Sequence, residues 1–305
     1  MLNSELIEVT RRIESMENKT LFFLGGVVKS GTTWVERIYD AHPNSSCKGE
    51  AHFGSLLAPA VSAVVDDYNS TIEKQGNWNL VSQIEQQSGS PIEFQYDVQD
   101  KDFLFRQAIL LMMQKWLITD DIQCVGEKTP SNQQYFPILQ QLFPQAKFIY
   151  IIRDIRDVVV SGWFFNTIVN VTQNIENNKN MEHFATKLAR SWDKNVRASL
   201  GFIHQSENNG MFIQYEDLLE DSLKGIQELY EFLGLACDEL ILASVHKQTS
   251  FNKLSGGRDS GEENRRSFYR KGTSGDWKNH LSEQALSNIE NECGELMELL
   301  GYTDN

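Results

Sequence analysis

Residues 21–34 constrain the fold of this chain more than any other stretch. They read LFFLGGVVKSGTTW, which is four apolar residues, a pair of glycines, a short polar run and the start of an amphipathic segment that ends before Pro43. This order predicts a buried parallel strand that the glycines break, followed by a tight loop and a helix. The N-terminus of a helix presents unpaired backbone N–H groups and a partial positive charge, so the turn predicts an anion-binding site.

The lysine of this loop stands in an unusual place. In the nucleoside-triphosphate loop G-x-x-x-x-G-K-[ST], the lysine follows the second glycine. Gly26 and Gly31 have the required separation here, but Thr32 follows Gly31, and Lys29 precedes it by two residues. The sequence therefore indicates a phosphate loop for a different ligand, against the alternative of a glycine turn that carries a surface lysine.

Charge and composition limit the classes of protein to which the chain can belong. Of its 305 residues 40% are hydrophobic, which suffices for a large core, and its formal net charge of −14 disfavours nucleic acid or an anionic membrane as the main partner. The four cysteines lack metal-binding spacing, so we expect reduced thiols, no metal and a cytoplasmic location. No stretch reads as a signal peptide or a membrane span. Without an internal repeat or linker, residues 1–305 are predicted to form one domain.

The strand–loop–helix pattern of the opening stretch recurs along the chain. Residues 147–152 read KFIYII and lead into the charged loop RDIRD and an apolar helix at 158–165. Because parallel strands joined by helices form a sheet covered on both faces, we predict a three-layer α/β fold with a central parallel sheet, flanking helices and a P-loop-like turn. Further strands are expected at 45–53, 124–130 and 211–215, helices at 56–65, 102–119, 131–143 (capped by Ser131 or Asn132), 181–205, 216–233 and 281–300, a polar surface insertion at 69–90, and loops at 168–180 and 252–275.

Three separated motifs resemble those of sulfotransferases that use 3′-phosphoadenosine 5′-phosphosulfate (PAPS). Residues 28–34, VKSGTTW, are similar to the family's P-K-S-G-T-T-W loop, with Val28 in place of proline. Residues 153–161, RDIRDVVVS, resemble R-D-x-R-D-x-x-V-S, and residues 270–279, RKGTSGDWKN, resemble R-K-G-x-x-G-D-W-K-N of the cytosolic members. The motifs stand in the family's order and cover most of the chain. The chain is therefore identified as a member of the PAPS-dependent sulfotransferases, resembling the cytosolic small-molecule type.

The resemblance implies transfer of a sulfuryl group from PAPS to a hydroxyl or amine of a small-molecule acceptor by in-line displacement, with release of 3′,5′-ADP and without a metal. Lys29 would stabilise the leaving oxygen, because a lysine point charge suits an oxygen that gains charge as its bond breaks. The implied cofactor contacts are Lys29, Ser30, Gly31, Thr32 and Thr33 for the 5′-phosphosulfate, Arg153, Ser161, Arg270, Lys271 and Gly272 for the 3′-phosphate, and Trp34, Tyr215, Thr249 and Phe251 for the adenine.

Some of these residues also have ordinary structural interpretations. Trp34 and Phe251 could be core aromatic residues, and Tyr215 an ordinary strand residue. Arg156 is expected in a structural salt bridge with Asp154 or Asp157.

The general base is the main departure from the family. Cytosolic members carry K-T-H, whereas this chain reads Lys128-Thr129-Pro130, so the lysine is present and the histidine is replaced. Other branches of the family use a glutamate just after the second strand, where Glu50 stands. The catalytic candidates are therefore Lys29 and Lys128, with Glu50, His52 or Glu127 as the base in that order of preference.

The acceptor site and the assembly stay open at this level. Residues 54–110, 166–180 and 252–268 are expected to shape the acceptor pocket, and the acidic charge favours a small acceptor that is neutral or cationic. The glycine-rich stretch 252–272 is expected to close over bound cofactor. The family's dimer motif is not matched after Lys278, so the oligomeric state is uncertain. Two alternative functions remain, a P-loop nucleotide kinase and a non-catalytic module that binds PAPS or 3′,5′-ADP.

Overall fold

The computed structural model describes residues 2–75, 78–88, 95–173 and 180–302. Within them, five strands form one parallel sheet in the order β2-β3-β1-β4-β5. Leu24 of β1 and Gly49 of β2 both pair with Lys128 of β3, and Gly26 of β1 pairs with Ile151 of β4. The carboxyl ends of the strands therefore meet at one edge. The strands are β1 Thr20–Gly26, β2 Ser45–Gly49, β3 Cys124–Lys128, β4 Lys147–Ile152 and β5 Gly210–Gln214.

Helices cover both faces of this sheet. Short 3₁₀ turns lie at Met16–Asn18, Gln114–Trp116, Pro130–Gln134, Glu207–Asn209 and Asp276–Asn279, and a π turn lies at Phe53–Leu57. The described α-helices are α1 Leu2–Ser15, α2 Thr32–Asp40, α3 Ala58–Gln75, α4 Trp78–Ser88, α5 Val98–Met113, α6 Phe136–Leu142, α7 Ile155–Gln173, α8 Met181–Gln205, α9 Tyr215–Glu220, α10 Ser222–Leu233, α11 Glu239–Thr249, α12 Phe251–Leu254 and α13 Glu283–Leu299.

Two hydrophobic clusters confirm the predicted three layers. Successive side chains of a strand point to opposite faces of the sheet. Phe23 of β1 accordingly packs with residues of α5, α6, α7, α8 and α13, whereas Phe22 and Leu24 pack with residues of α2, α9, α10 and α11. Both faces of β1 are thus buried, as its unbroken apolar run predicts. None of the described helices is long and apolar enough to cross a membrane.

The prediction that the glycine pair breaks β1 is wrong, because Gly25 and Gly26 are its last two residues. A Cβ atom on Gly25 would lie 2.9 Å from the backbone nitrogen of Gln133, and one on Gly26 would lie 2.8 Å from the carbonyl oxygen of Ile151. Any side chain here would push these neighbours away. The glycines therefore let the segments on either side pack closely against the end of the strand.

Two helix predictions also need correction. The first half of the helix predicted at 131–143 is a 3₁₀ turn, and α6 begins only at Phe136. Asn132 does not cap it, because its amide donates to the carbonyl oxygen of Leu24 and to Glu127. The helix predicted at 158–165 is longer and runs over Ile155–Gln173, so the predicted loop 168–180 is helical up to Gln173. The remainder of that loop, 174–179, lies outside the described residues.

The surface insertion predicted at 69–90 is helical where it is described, in α3 and α4. Its side chains are largely exposed, and Val65 is the buried residue of α3. The polar composition thus correctly predicted a surface position. It did not exclude helix, because intrinsic propensity is only a weak guide to secondary structure.

Candidate active site

The loop after β1 forms the floor of the site. Lys29 and Gly31 have φ angles of 75° and 103°, which turn the chain sharply before α2 begins at Thr32. A Cβ atom on Gly31 would lie 2.7 Å from the ring of Tyr215, so only glycine fits this turn against that ring. The first N–H groups of a helix have no partner within it. The loop and the start of α2 therefore present backbone donors to the space above the sheet edge.

A cavity of about 520 Å³ opens above this loop, a size ordinary for ligand pockets. It collects residues that stand far apart in the sequence. Four predicted site residues do not line it, namely Ser30, His52, Glu127 and Lys128, and Ser30 is fully buried. The predicted residues that line it are Lys29, Gly31, Thr32, Thr33, Trp34, Glu50, Arg153, Ser161, Tyr215, Thr249, Phe251, Arg270, Lys271 and Gly272.

One end of the cavity is aromatic. The ring nitrogen of Trp34 donates to the carbonyl oxygen of Thr249 at 3.0 Å, and the Trp34 ring meets Tyr215 edge-on with centroids 5.6 Å apart. Gly272 has a φ of 69°, and a Cβ there would lie 2.2 Å from the ring of Phe251. The backbone at 272 therefore lies directly against the Phe251 ring. Sequence reasoning missed Leu219, Ser222, His246 and Leu254 in the cavity lining, since nothing distinguishes them from other helical residues, and it also missed Ser250, which lies between α11 and α12.

Arg153 joins the three motifs. Its guanidinium donates to the carbonyl oxygens of Lys29 and Thr273 at 3.3 and 3.1 Å and lies over the ring of Tyr215 at 4.2 Å. Its buried Nε atom has no hydrogen-bond partner within the described part of the chain. Asp157 reinforces the junction by accepting from the backbone nitrogens of Gly275 and Trp277. The three motifs are thus held together by direct contacts.

Two further cations reach the cavity from the C-terminal motif. Arg270 and Lys271 both pair with Asp276 at 2.6 Å, and Arg270 also pairs with Glu263 at 2.6 Å. Burial alone would raise the pKa of Asp276, but the hydrogen bonds from Lys271 and Arg270 outweigh it and lower that pKa well below its usual range. These ion pairs fix both side chains at the wall of the cavity.

Lys29 sits in an unusual environment. Its ammonium group lies 4.3 Å from the ring centre of Phe165 and 4.2 Å from that of Phe268. Burial, followed by the positive charges of Arg153 and Arg270, lowers its pKa to about 8. The two phenylalanine rings, which sequence reasoning missed, offer their negative faces to the ammonium group. A nearby anion would restore the charged form of this lysine.

Glu50 is the carboxylate among the predicted site residues that line the cavity. One of its carboxylate oxygens accepts from the Lys128 ammonium group at 2.8 Å. Lys128 lies behind Glu50 and also contacts Glu36 at 3.2 Å. A Cβ on Gly49 would lie 2.6 Å from the carbonyl oxygen of Lys128 and 3.1 Å from its ammonium nitrogen, so glycine makes room for this lysine. Of the three candidate bases, Glu50 is the one that faces the cavity.

The other two candidate bases face elsewhere. The His52 ring nitrogen lies 3.7 Å from Glu50, but His52 does not line the cavity. Glu127 is completely buried and accepts hydrogen bonds from the backbone of Ala51 and the side chains of Thr129 and Asn132. Burial raises the pKa of Glu127 despite these bonds. Glu127 therefore ties the loop after β2 to the end of β3.

The glycine-rich loop over the cavity is internally organised. Arg258 donates to the carbonyl oxygens of Glu262 and Arg270 at 2.9 and 3.0 Å, and also to Tyr269 and Ser267. This single side chain holds the stretch 258–270 together. Closure of 252–272 over a ligand stays a prediction. The predicted salt bridge of Arg156 with Asp154 is confirmed, with a closest separation of 2.9 Å.

Comparison with known proteins establishes the family. The family model described as "Sulfotransferase domain" matches residues 19–301, so the chain belongs to the sulfotransferase domain family, as the motifs predict. Sulfotransferase 2A6 of Mus musculus is 34% identical over 149 residues, which are 45% of this chain and 52% of the relative. The 3-alpha-hydroxysteroid sulfotransferase of Cavia porcellus is 33% identical over 182 residues, 52% of this chain and 60% of the relative. The chain thus spans about half to three fifths of the length of these relatives.

Solved structures agree on the fold. Mouse sulfotransferase SULT7A1 complexed with PAP has a TM-score of 0.55 at 19% identity, covering 92% of this chain and 85% of that protein. Retinol dehydratase in complex with androsterone and PAP has a TM-score of 0.50 at 17% identity, covering 91% and 80%. These similarities confirm the three-layer α/β architecture.

Proposed function

We propose that this protein transfers a sulfuryl group from PAPS to a hydroxyl or amine of a small-molecule acceptor and releases 3′,5′-ADP (PAP). The observation that carries the proposal is the convergence of Lys29, Arg153, Arg270 and Lys271 on one cavity in a chain whose net charge is −14. An acidic protein that concentrates cations at a helix N-terminus is suited to a multiply charged anion. The relatives, which are named as sulfotransferases, point to the same chemistry.

The cavity fits a nucleotide with phosphates at two positions. The phosphosulfate end would lie on Lys29, Ser30, Gly31, Thr32 and Thr33, and the adenine between Trp34, Tyr215, Thr249 and Phe251. The unpartnered Nε of Arg153 is a donor available to a phosphate oxygen. Guanidinium groups suit such oxygens because they donate from a planar fork. Ser161, Arg270, Lys271 and Gly272 would complete the 3′-phosphate site with Arg153.

Each group of residues in the cavity has a separate role in the proposed reaction. Bound PAPS would supply the sulfuryl group. Glu50 takes the proton of the acceptor hydroxyl or amine as that atom forms its new bond to sulfur. Lys29 stabilises the negative charge that the 5′-phosphate oxygen acquires as its bond to sulfur breaks. Arg153, Arg270 and Lys271 hold the nucleotide in line, so catalysis rests on positioning and charge.

The test separates this proposal from its alternatives. Calorimetry should detect PAP binding without magnesium and without effective competition by ATP, whereas a P-loop kinase would prefer ATP with magnesium. Incubation with PAPS and a mixed acceptor library should yield products heavier by one sulfuryl group in mass spectrometry. Binding of PAP without any product would instead support the non-catalytic module.

A matched pair of lysine variants sharpens the test. Lys29→Met should lower kcat at saturating PAPS by about 10²–10³-fold, which is typical for loss of one charge-stabilising donor. Lys48→Gln removes a lysine that pairs with Asp40 outside the cavity, and its kcat should match the wild type. Equal kcat values for the two variants would rule out the role of Lys29.

We further propose that the acceptor is neutral or cationic. Its end of the cavity presents Glu50 and the aromatic residues Phe165, Phe268 and Tyr269, while the cations nearby serve the phosphates. An acceptor screen in which anionic compounds turn over best would reject this. None of the residues described in 54–110 and 166–180 lines the cavity, so the described parts of these segments do not shape it as predicted; residues 76–77, 89–94 and 174–179 lie outside the described residues. The single domain, the cytoplasmic location and the oligomeric state stay predictions.

A further inference from the structure

Glu36 is a buried carboxylate that the proposed reaction does not yet use. It lies on α2 with a side chain 9% exposed, and its oxygen is 3.2 Å from the ammonium nitrogen of Lys128. The same nitrogen is 2.8 Å from Glu50, whose side chain is 39% exposed and lines the cavity. One buried lysine is therefore shared by a carboxylate behind it and a carboxylate that faces the cavity.

We propose that Glu36 is a positioning residue that preserves the basicity of Glu50. An ammonium group within bonding distance of a carboxylate favours its charged form and so weakens it as a base. Glu36 opposes this effect, because it offsets the charge of the lysine that holds Glu50. Lys128 can then orient Glu50 by a hydrogen bond at little loss of proton affinity. This inference rests on the proposed role of Glu50 as general base.

The local structure supports this division of roles. An isolated buried charge is costly, so Lys128, which is 5% exposed, needs a buried counter-ion. Glu36 provides it from α2, on the side away from the cavity. Gly49 leaves the space through which the lysine reaches both carboxylates. Glu50 is then an additional carboxylate, available to a substrate.

Other titratable and charged groups lie near Glu50, and a titration of Glu50 must take account of them. His52 lies 3.7 Å away on the same loop, and Glu127 neighbours Lys128 on β3 with both oxygens occupied. Tyr269 approaches from the glycine-rich loop, where burial raises its pKa and the nearby Arg37 of α2 opposes that rise. A His52→Gln background removes the imidazole from the measured pH range.

The test measures the Glu50 carboxyl directly. In ¹³C-glutamate-labelled protein of the His52→Gln background, the Glu50 signal is assigned by its loss in Glu50→Gln and titrated by NMR. Glu36→Gln should lower the pKa of Glu50 by about one unit or more, because the lysine charge then acts on Glu50 alone. The acidic limb of the kcat/KM profile should move by the same amount. An unchanged or raised pKa would overturn the inference.

Matched variants separate charge from structure. Asp40→Asn removes another ion-paired carboxylate of α2, outside the cavity, and should leave the pKa of Glu50 unchanged. Glu36→Asp keeps the negative charge, so the pKa of Glu50 in this variant should stay close to the wild-type value. If the pKa of Glu50 shifts as much in Asp40→Asn as in Glu36→Gln, the effect is a general one of charge. That result would overturn the specific role of Glu36.

The inference remains testable if Glu36→Gln does not fold. Lys128→Met should raise the pKa of Glu50, because two carboxylates then face each other without a cation. The double variant Glu36→Gln/Lys128→Met replaces the buried pair by neutral residues of similar size and should bring the pKa back down. Equal pKa values of Glu50 in Lys128→Met and in the double variant would overturn the inference. If the wild type turns over no acceptor, the proposed function fails, and the NMR titration alone still decides whether Glu36 acts on Glu50.

Discussion

The pKa of Lys29 predicts how the affinity for PAP depends on pH. In the ligand-free protein this pKa is about 8, lowered by burial and by the charges of Arg153 and Arg270. Bound phosphates should raise it again, because an adjacent negative charge favours the ammonium form. PAP therefore binds best to protein that already carries the proton on Lys29. Above pH 8, binding must be accompanied by proton uptake.

The magnitude follows from the fraction of Lys29 that is charged. With a pKa of about 8, roughly nine tenths is protonated at pH 7 and roughly one tenth at pH 9, so PAP affinity should fall about tenfold, or about 1.4 kcal/mol. Phosphate monoesters complete their second ionisation near pH 6, so the ligand itself does not titrate in this window. The titration of Lys29 should therefore dominate the pH dependence of PAP affinity.

Calorimetry at pH 7, 8 and 9 provides the assay. At pH 8, titrations in two buffers of different ionisation enthalpy should show an uptake of about half a proton per PAP, since half of the lysine is then uncharged. Lys29→Met should bind PAP more weakly at pH 7 and lose most of the pH dependence. A wild-type affinity for PAP that does not change between pH 7 and 9 would refute the reasoning. So would a pH dependence in Lys29→Met equal to that of the wild type.

Three further substitutions test the walls of the cavity and their support. Gly272→Ala forces a side chain into a φ of 69° and against the Phe251 ring, so PAP binding should weaken by about 1–3 kcal/mol in calorimetry, and an unchanged affinity would contradict the contact. Trp34→Phe removes the hydrogen bond to Thr249 and should lower the free energy of unfolding by about 0.5–1.5 kcal/mol in urea, whereas a larger loss would indicate a role in the core. Glu127→Gln places an amide NH₂ among buried hydrogen-bond donors and should lower the free energy of unfolding by about 1–3 kcal/mol. An unchanged urea midpoint would argue against the buried network.

The sequence predicted the parts of the site that local pattern encodes. Apolar runs followed by glycine or charge marked the ends of β1 and β4, and the motifs placed Lys29 and Arg153 there. Because parallel strands end at a common edge, their convergence followed from the fold class. The salt bridge of Arg156 was predictable in the same way, since its partner stands two residues away.

Other parts of the site depend on contacts that are distant in the sequence. Glu36 reads as one more charged residue of an amphipathic helix, and only the packing of Lys128 against it shows that it is buried. Phe165 and Phe268 come from separate segments, and neither shows a pattern that indicates a lysine between them. The glycines and charges of 252–275 predicted a loop, but nothing in the sequence indicated that the hydrogen bonds of Arg258 organise it. Local propensity carries no information about such partners.

The central position of β1 separates two parts of the chain that can vary independently. On one side of β1, β2 and β3 bring Glu50 to the cavity wall, with Lys128 behind it. On the other side, β4 and β5 bring Arg153 and Tyr215 to the wall. Within the sheet, β1 is the strand that joins the two pairs. Substitutions around Glu50 and Lys128 should therefore change acceptor choice and pH optimum with little change in nucleotide affinity, whereas substitutions around Arg153 and Tyr215 should change nucleotide affinity.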